Sequence, residues 1–136
     1  MNYFLAKTEP GTYSIHQLEK DQRTIWDGVT NAQATAAIRS MRESDRVFIY
    51  HSGGVSSVVG LARITSAGRP DPNNPKSAVA EFEFLCHLKP PTTLTEIKQS
   101  GKFTEWALVR QSRLSTMAAP ELFVDWMRGR YPKAKI

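Results

Sequence analysis

The stretch Trp26-Asp27-Gly28-Val29-Thr30-Asn31-Ala32-Gln33-Ala34 lies between a strand-like N-terminus and a helix-like run, and it is an unusual sequence for a connection. A large aromatic is followed at once by Asp27-Gly28, a strong turn dipeptide. Asn31 then stands at a helix N-cap position, where its side-chain oxygen can accept from free backbone N–H groups. A tryptophan on such a turn has two readings. It is either a plug in the core or the wall of a pocket.

On the N-terminal side, Tyr3-Phe4-Leu5-Ala6-Lys7 is mostly apolar and reads as a strand buried on both faces, stopped by Glu9-Pro10-Gly11. Ser14-Ile15-His16-Gln17 has capping-box spacing and opens a short helix through Lys20, with Ile15 and Leu18 on one face. On the C-terminal side, Ala34, Ala37, Ile38 and Met41 recur at helical spacing behind the Asn31 cap. Arg46–His51 is the clearest strand; Gly53-Gly54 turns it and Val58–Ile64 returns antiparallel. Gly60 marks a bulge or a close backbone approach in that return.

Gly68 to Pro75 reads as a loop, Ala78–Leu85 as a strand with one wet face, and Pro90-Pro91 as its end. Thr93-x-x-Glu96 is a second capping box, opening a helix that Gly101 closes. Pro120 starts a last helix with Leu122, Phe123, Trp126 and Met127 as its buried face, followed by a basic tail of Arg128, Arg130, Lys133 and Lys135. Five or six strands and three or four short helices in non-alternating order indicate an α+β fold on a small, strongly bent sheet or barrel. No repeat or low-complexity tract interrupts residues 1–136, so a single domain is expected.

The 136 residues suffice for a hydrophobic core, and no stretch approaches the ~20 apolar residues of a membrane span. The N-terminus lacks the basic and apolar regions of a signal peptide, and the one cysteine, Cys86, excludes an internal disulfide, so a cytoplasmic or nuclear location is the default expectation. His16, His51 and His87 are scattered without zinc spacing, so neither metal nor cofactor is expected. The net charge of +5 is compatible with a polyanionic partner.

Catalysis has little to stand on. Ser52 beside His51, and Cys86 beside His87, fall on opposite faces of their strands and cannot readily pair, and the familiar nucleophile, phosphate-loop and zinc motifs are missing. Recognition fits better. A pocket for a planar base needs an aromatic wall, fixed hydrogen-bonding groups at the base edge, and cations for phosphate. Trp26 and Tyr50 are candidate walls, Asn31, Ser52 and the backbone at Asp27-Gly28 candidate edges, and Lys7, Arg110 and Arg113 candidate cations. Each has a structural reading beside it: Asn31 as a plain cap, Tyr50 as core, His51 as a satisfied histidine, Arg110 and Arg113 as a solvated turn, Lys7 as a surface ion pair with Glu9.

Taken together, Phe4–Pro10, Tyr13-Ser14-Ile15, Trp26–Ala34, Tyr50-His51-Ser52, Gly60-Leu61-Ala62 and Ala107–Ser115 form a set that resembles the EVE domain, in order and over nearly the whole chain. The distinctive blocks are Trp26-Asp27-Gly28-Val29-x-Asn31 and Arg110-Gln111-Ser112-Arg113-Leu114-Ser115. The resemblance implies a PUA-like fold, a small bent β-barrel with short helices around it, and a distant likeness to YTH readers of methylated adenine. By that analogy Trp26 becomes a cage wall, Tyr50, His51 and Ser52 line the same cleft, and the loop Arg110 to Arg113, with Ser112, holds backbone phosphate. The function implied is non-catalytic reading of a modified cytosine or adenine, flipped or single-stranded, in DNA or RNA. Thr30 stands where the family more often has Arg, which removes one phosphate contact, and Tyr13, Phe103 and Trp106 are the candidates for further cage aromatics. The rival readings are an RNA-processing hydrolase on the same fold and a module for a small molecule or a protein.

Overall fold

The computed structural model describes residues 1–136. The order of elements is β1 (Tyr3–Thr8), α1 (Ile15–Asp21), β2 (Arg23–Trp26), α2 (Ala32–Ser40), β3 (Arg46–His51), β4 (Ser57–Asp71), β5 (Asn74–Thr93), α3 (Leu94–Gln99), α4 (Ala107–Arg110), β6 (Thr116–Ala118) and α5 (Glu121–Arg130). The fold is α+β. Its six strands form one sheet in the order β2-β5-β4-β3-β1-β6, with β2 and β6 at free edges, so the bent barrel stays open.

β1 pairs in parallel with β3, Tyr3 opposite Arg46 through Thr8 opposite His51. Parallel neighbours need a long crossover, and α1, β2 and α2 are that crossover. The apolar run Phe4-Leu5-Ala6 is buried, as expected of a strand covered on both faces. Asp45 fastens the start of this pair: its buried carboxylate accepts from the Asn2 amide and the Arg42 amide, each at 2.9 Å. The β4–β5 hairpin dominates the sheet, and its register shifts at Val58/Gly60, Leu61/Ala62, Ile64/Ser66 and Ser66/Arg69. Such shifts bend and twist a strand, which is how a pair this long curls.

Local signals hold at the helix starts. Ser14 accepts from the Gln17 amide, although the Gln17 side chain reaches forward to Asp21 rather than back. Asn31 accepts from the amides of Gln33 and Ala34, and Thr93 and Glu96 complete a reciprocal capping box. Ala34, Ile38 and Met41 are fully buried beneath α2. Around α5, Phe123 meets Phe48 edge-on at 5.2 Å and Trp106 at 4.5 Å, and the Trp106 indole donates to the Ala118 carbonyl at 2.9 Å.

Three expectations are corrected. Gly68 to Pro75 is not a loop: β4 runs to Asp71, β5 starts at Asn74, and only the hairpin tip lies between them. Pro90 and Pro91 do not end β5, which continues to Thr93. Leu122 is exposed, and Val124 takes its place on the buried face of α5. The short strands β2 and β6 carry no recognisable periodicity of their own and exist through their partners, β5 and β1.

Gly68 shows how tightly α2 lies on β4. Its amide donates to the Met41 carbonyl at 3.1 Å, and a Cβ at this position would fall 1.8 Å from the Ile38 carbonyl oxygen. That obstacle is helix backbone, which cannot rotate away. Gly68→Ala is therefore expected to destabilise the protein by about 3 kcal/mol, the upper part of the overpacking range. Gly129→Ala, in open space on α5, is expected to be neutral or to stabilise by about 0.5–1 kcal/mol. Chemical denaturation of the two variants checks the contrast.

Candidate nucleic-acid interface

The ends of the curled sheet meet at a cavity. Lys7 and Thr8 of β1, Thr24, Ile25 and Trp26 of β2, the turn Asp27-Gly28-Val29, the segment Thr12-Tyr13 and Ser115 line a space of about 470 Å³. β1 and β2 stand four places apart in strand order, so only curvature brings them to one site. The volume lies in the ordinary range for small-molecule sites, about 300–1,000 Å³.

Trp26 serves the core and the cavity at once. It is 8% exposed, and its ring stacks on Phe82 of β5 at 4.9 Å with 22° between planes. Tyr13 stands edge-on to it at 6.2 Å and 84°, making an aromatic corner. The Tyr13 hydroxyl donates to Asp21 at 2.8 Å, which fixes that ring against α1. The turn after Trp26 is held from below: the Ser77 hydroxyl donates to the Val29 carbonyl, and the Thr35 hydroxyl reaches the same oxygen at 3.5 Å. Gly28 takes φ +74, a left-handed conformation that glycine adopts without steric cost. This leaves the Asp27 carboxylate and the Gly28 backbone exposed at the cavity rim.

Lys7 joins the cavity to the basic loop. Its ammonium donates to the Ser112 carbonyl at 3.1 Å and lies 5.4 Å from the centre of the Tyr50 ring, while its backbone amide donates to the Ser115 carbonyl at 2.7 Å. Burial lowers the Lys7 pKa from its ordinary value. Beyond that contact, Asn31, Arg110, Gln111, Ser112, Arg113 and Leu114 line a second, open hollow of about 300 Å³. Arg110 is paired with Glu105 at 2.6 Å in an exposed contact, and Arg113 has no ion-pair partner.

The expected residues thus fall into three places. Trp26, Asp27, Gly28 and Lys7 meet at the cavity. Asn31, Arg110, Ser112 and Arg113 meet at the adjoining hollow, with Asn31 also capping α2. Tyr50, His51 and Ser52 line neither: they lie on and just beyond β3, beside Lys7 and Thr8. Tyr50 is buried, and Ser52 donates its amide to the Thr8 carbonyl at 3.0 Å. His51 Nε2 accepts from the Ile15 amide at 3.0 Å, closing the N-terminus of α1. Burial first, and then the neighbouring His16, lower the His51 pKa, which favours the neutral acceptor.

Of the three further aromatics, only Tyr13 reaches the cavity; Phe103 and Trp106 pack around Phe123. Sequence reasoning passed over Thr8, Thr12, Thr24 and Ser115 because isolated hydroxyl residues carry no signal until the sheet assembles them. No helix is long and apolar enough to cross a membrane.

Comparisons with known proteins bear on the family and the fold. The EVE domain family model matches residues 2–128. Thymocyte nuclear protein 1 of Rattus norvegicus is 31% identical, over 93% of this chain and 72% of its own length. A crystal structure of a protein from Pseudomonas putida superposes with a TM-score of 0.85 at 31% identity, covering 94% of this chain and 99% of the other. The human THYN1 protein, solved in complex with 5-methylcytosine containing DNA, superposes with a TM-score of 0.85 at 24% identity, covering 95% of this chain and 96% of the other.

Two outcomes follow from the geometry. Trp26→Ala removes the ring stacked on Phe82 and is expected to cost about 3–5 kcal/mol of stability, whereas Trp26→Phe keeps a ring there and costs roughly half as much; urea denaturation measures both. For His51, whose folded pKa lies below its unfolded value of 6.5, the stabilising contribution is complete above that value and is lost as pH falls through the folded pKa. Stability measured from neutral pH down to about 5 should therefore decline, and His51→Gln should flatten that decline.

Proposed function

This chain belongs to the EVE domain family, and we propose that it is a non-catalytic reader that takes one modified nucleobase into the Trp26–Tyr13 corner. The observation that carries the reading is the cavity itself: an aromatic corner and a carboxylate rim lie one side chain, Lys7, away from an exposed arginine loop. The complex of the human THYN1 protein with 5-methylcytosine containing DNA supports it from within the same fold.

The mechanism is physical. The base leaves its stack at a cost of a few kcal/mol, and stacking against an aromatic face returns ~1–3 kcal/mol. The Asp27 carboxylate accepts from an exocyclic amino group, the pairing that carboxylates make with cytosine. A methyl-sized substituent is read by apolar fit beside Ile25 and Val29, both on the cavity lining. Lys7, Arg110 and Arg113, with the Ser112 hydroxyl, hold the phosphates and carry no sequence information. Asn31 steers the strand past its cap. Tyr50, His51 and Ser52 act from behind, supporting Lys7, Thr8 and the start of α1. His51 Nε2 is committed to the Ile15 amide and is not free as a base. Residues 1–136 act as one unit in this reading, in the cytoplasm, on DNA or RNA.

Titration with short oligonucleotides carrying cytosine or 5-methylcytosine, as DNA and as RNA, tests the proposal. The modified base is expected to bind ~10–200-fold more tightly, the range for one methyl-sized group in a pocket. Affinity should fall with salt, and Arg113→Ala should weaken all strands alike and reduce the salt slope by about one. Asp27→Asn should reduce discrimination among bases. Trp26→Phe, rather than the less stable Trp26→Ala, probes the stacking wall. Equal affinity for plain and modified strands, or binding indifferent to salt, would overturn the reading.

A further inference from the structure

The fold brings together three side chains that the sequence keeps apart. His16 and Glu19 lie one turn apart on α1, and His87 lies on β5; their ligand atoms are all within 4.8 Å of one another. His87 Nε2 is 3.0 Å from a Glu19 carboxylate oxygen, and the rings of His16 and His87 are 5.1 Å apart. From this cluster we propose a second site, independent of the base cavity: a divalent transition-metal site of the zinc class, with His16, Glu19 and His87 as ligands and at least one coordination position open.

The donor chemistry selects the ion. Two imidazoles and a carboxylate suit Zn²⁺ and its late first-row neighbours and do not suit Mg²⁺ or Ca²⁺, which take oxygen ligands. Bonds of about 2.0–2.2 Å to a tetrahedral ion set the donors roughly 3.3 Å apart. The Glu19–His87 pair is already that close. His16 and Glu19 are exposed on the helix surface and reach the remaining distance by side-chain rotation alone. Residues three apart on a helix share a face, so α1 presents both donors in one direction.

The support behind the ligands is rigid. His87 packs edge-on against Phe84 at 5.1 Å and stands opposite Gly60 in the β4–β5 ladder. Gly60 lacks the Cβ that would lie 2.5 Å from Ile15 Cδ1, and this absence lets α1 sit down on the sheet. Glu19 forms its one ion pair with His87, so no lysine or arginine competes for the carboxylate. A bound ion would fasten α1 to β5. Because α1 carries Asp21, the hydrogen-bond partner of Tyr13, the ion would also stiffen one wall of the base cavity.

The test is a Co²⁺ titration of the full chain, free of any affinity tag, followed by visible absorption and by displacement with Zn²⁺. One equivalent of Co²⁺ should produce d–d bands that Zn²⁺ removes, and Zn²⁺ should raise the Tm. His16→Ala and His87→Ala should each lower affinity by at least about tenfold, since even loss of an outer-shell partner costs ~10–100-fold. His16 is exposed on the helix, so His16→Ala keeps the test valid if His87→Ala folds poorly. No saturable binding, affinity unchanged in His16→Ala, or an intense thiolate charge-transfer band placing the ion on Cys86 would each overturn the proposal. None of these outcomes depends on nucleic-acid binding.

Discussion

The parallel pairing of Tyr3–Thr8 with Arg46–His51 is the constraint from which the other parts take their places. Two parallel neighbours cannot be joined by a tight turn, so the chain must leave β1, cross the sheet and return. On the way out it lays β2 against β5 at the far edge, and on the way back it lays α2 across β4. The Trp26–Asn31 turn falls midway along this excursion. The first strand thus decides that the tryptophan turn lies on the other side of the molecule in strand order, and curvature decides that the two meet again.

Curvature comes from the β4–β5 hairpin. A flat pair of this length would hold β1 and β2 far apart. Repeated register shifts bend it, Gly68 lets α2 approach the bent surface to backbone distance, and Gly60 makes room for the Ile15 side chain of α1. The candidate site is therefore the seam of a barrel that does not close. An unclosed seam leaves backbone and side-chain groups of both edges facing a space that neither fills, and here that space is lined by Trp26 on one side and Lys7 on the other. Folding and the proposed binding share a residue at this point: Trp26 stacks on Phe82 in the core and meets Tyr13 at a steep angle on the cavity lining.

Much of this was legible in the chain. Capping residues at Ser14, Asn31 and Thr93 act through their own neighbours, and all three accept from nearby helix amides, although the box spaced at Ser14 lacks the return bond from Gln17. The burial of Phe4-Leu5-Ala6 and of Ala34, Ile38 and Met41 follows from periodicity. The distinctive Trp26–Ala34 and Arg110–Ser115 blocks marked the segments that border the two hollows. Where local reading failed, a partner strand or helix decided the outcome: β2 and β6 have no pattern of their own, prolines sit within β5, and Leu122 yields its buried place to Val124.

By itself, the sequence determined what each segment could be, because caps, turns and amphipathic periods act over four or five residues. It also fixed the family, through blocks long enough to be distinctive. Only the tertiary structure decided which residues share a site. It separated Tyr50, His51 and Ser52 from Trp26, bound His51 to the amide of Ile15, and joined Lys7 to the arginine loop. It also gathered His16, Glu19 and His87, whose spacing along the chain carries no metal pattern. The reason is the same throughout: contacts across a curled sheet depend on strand order and register, and those are set by pairings between segments that are distant in the chain.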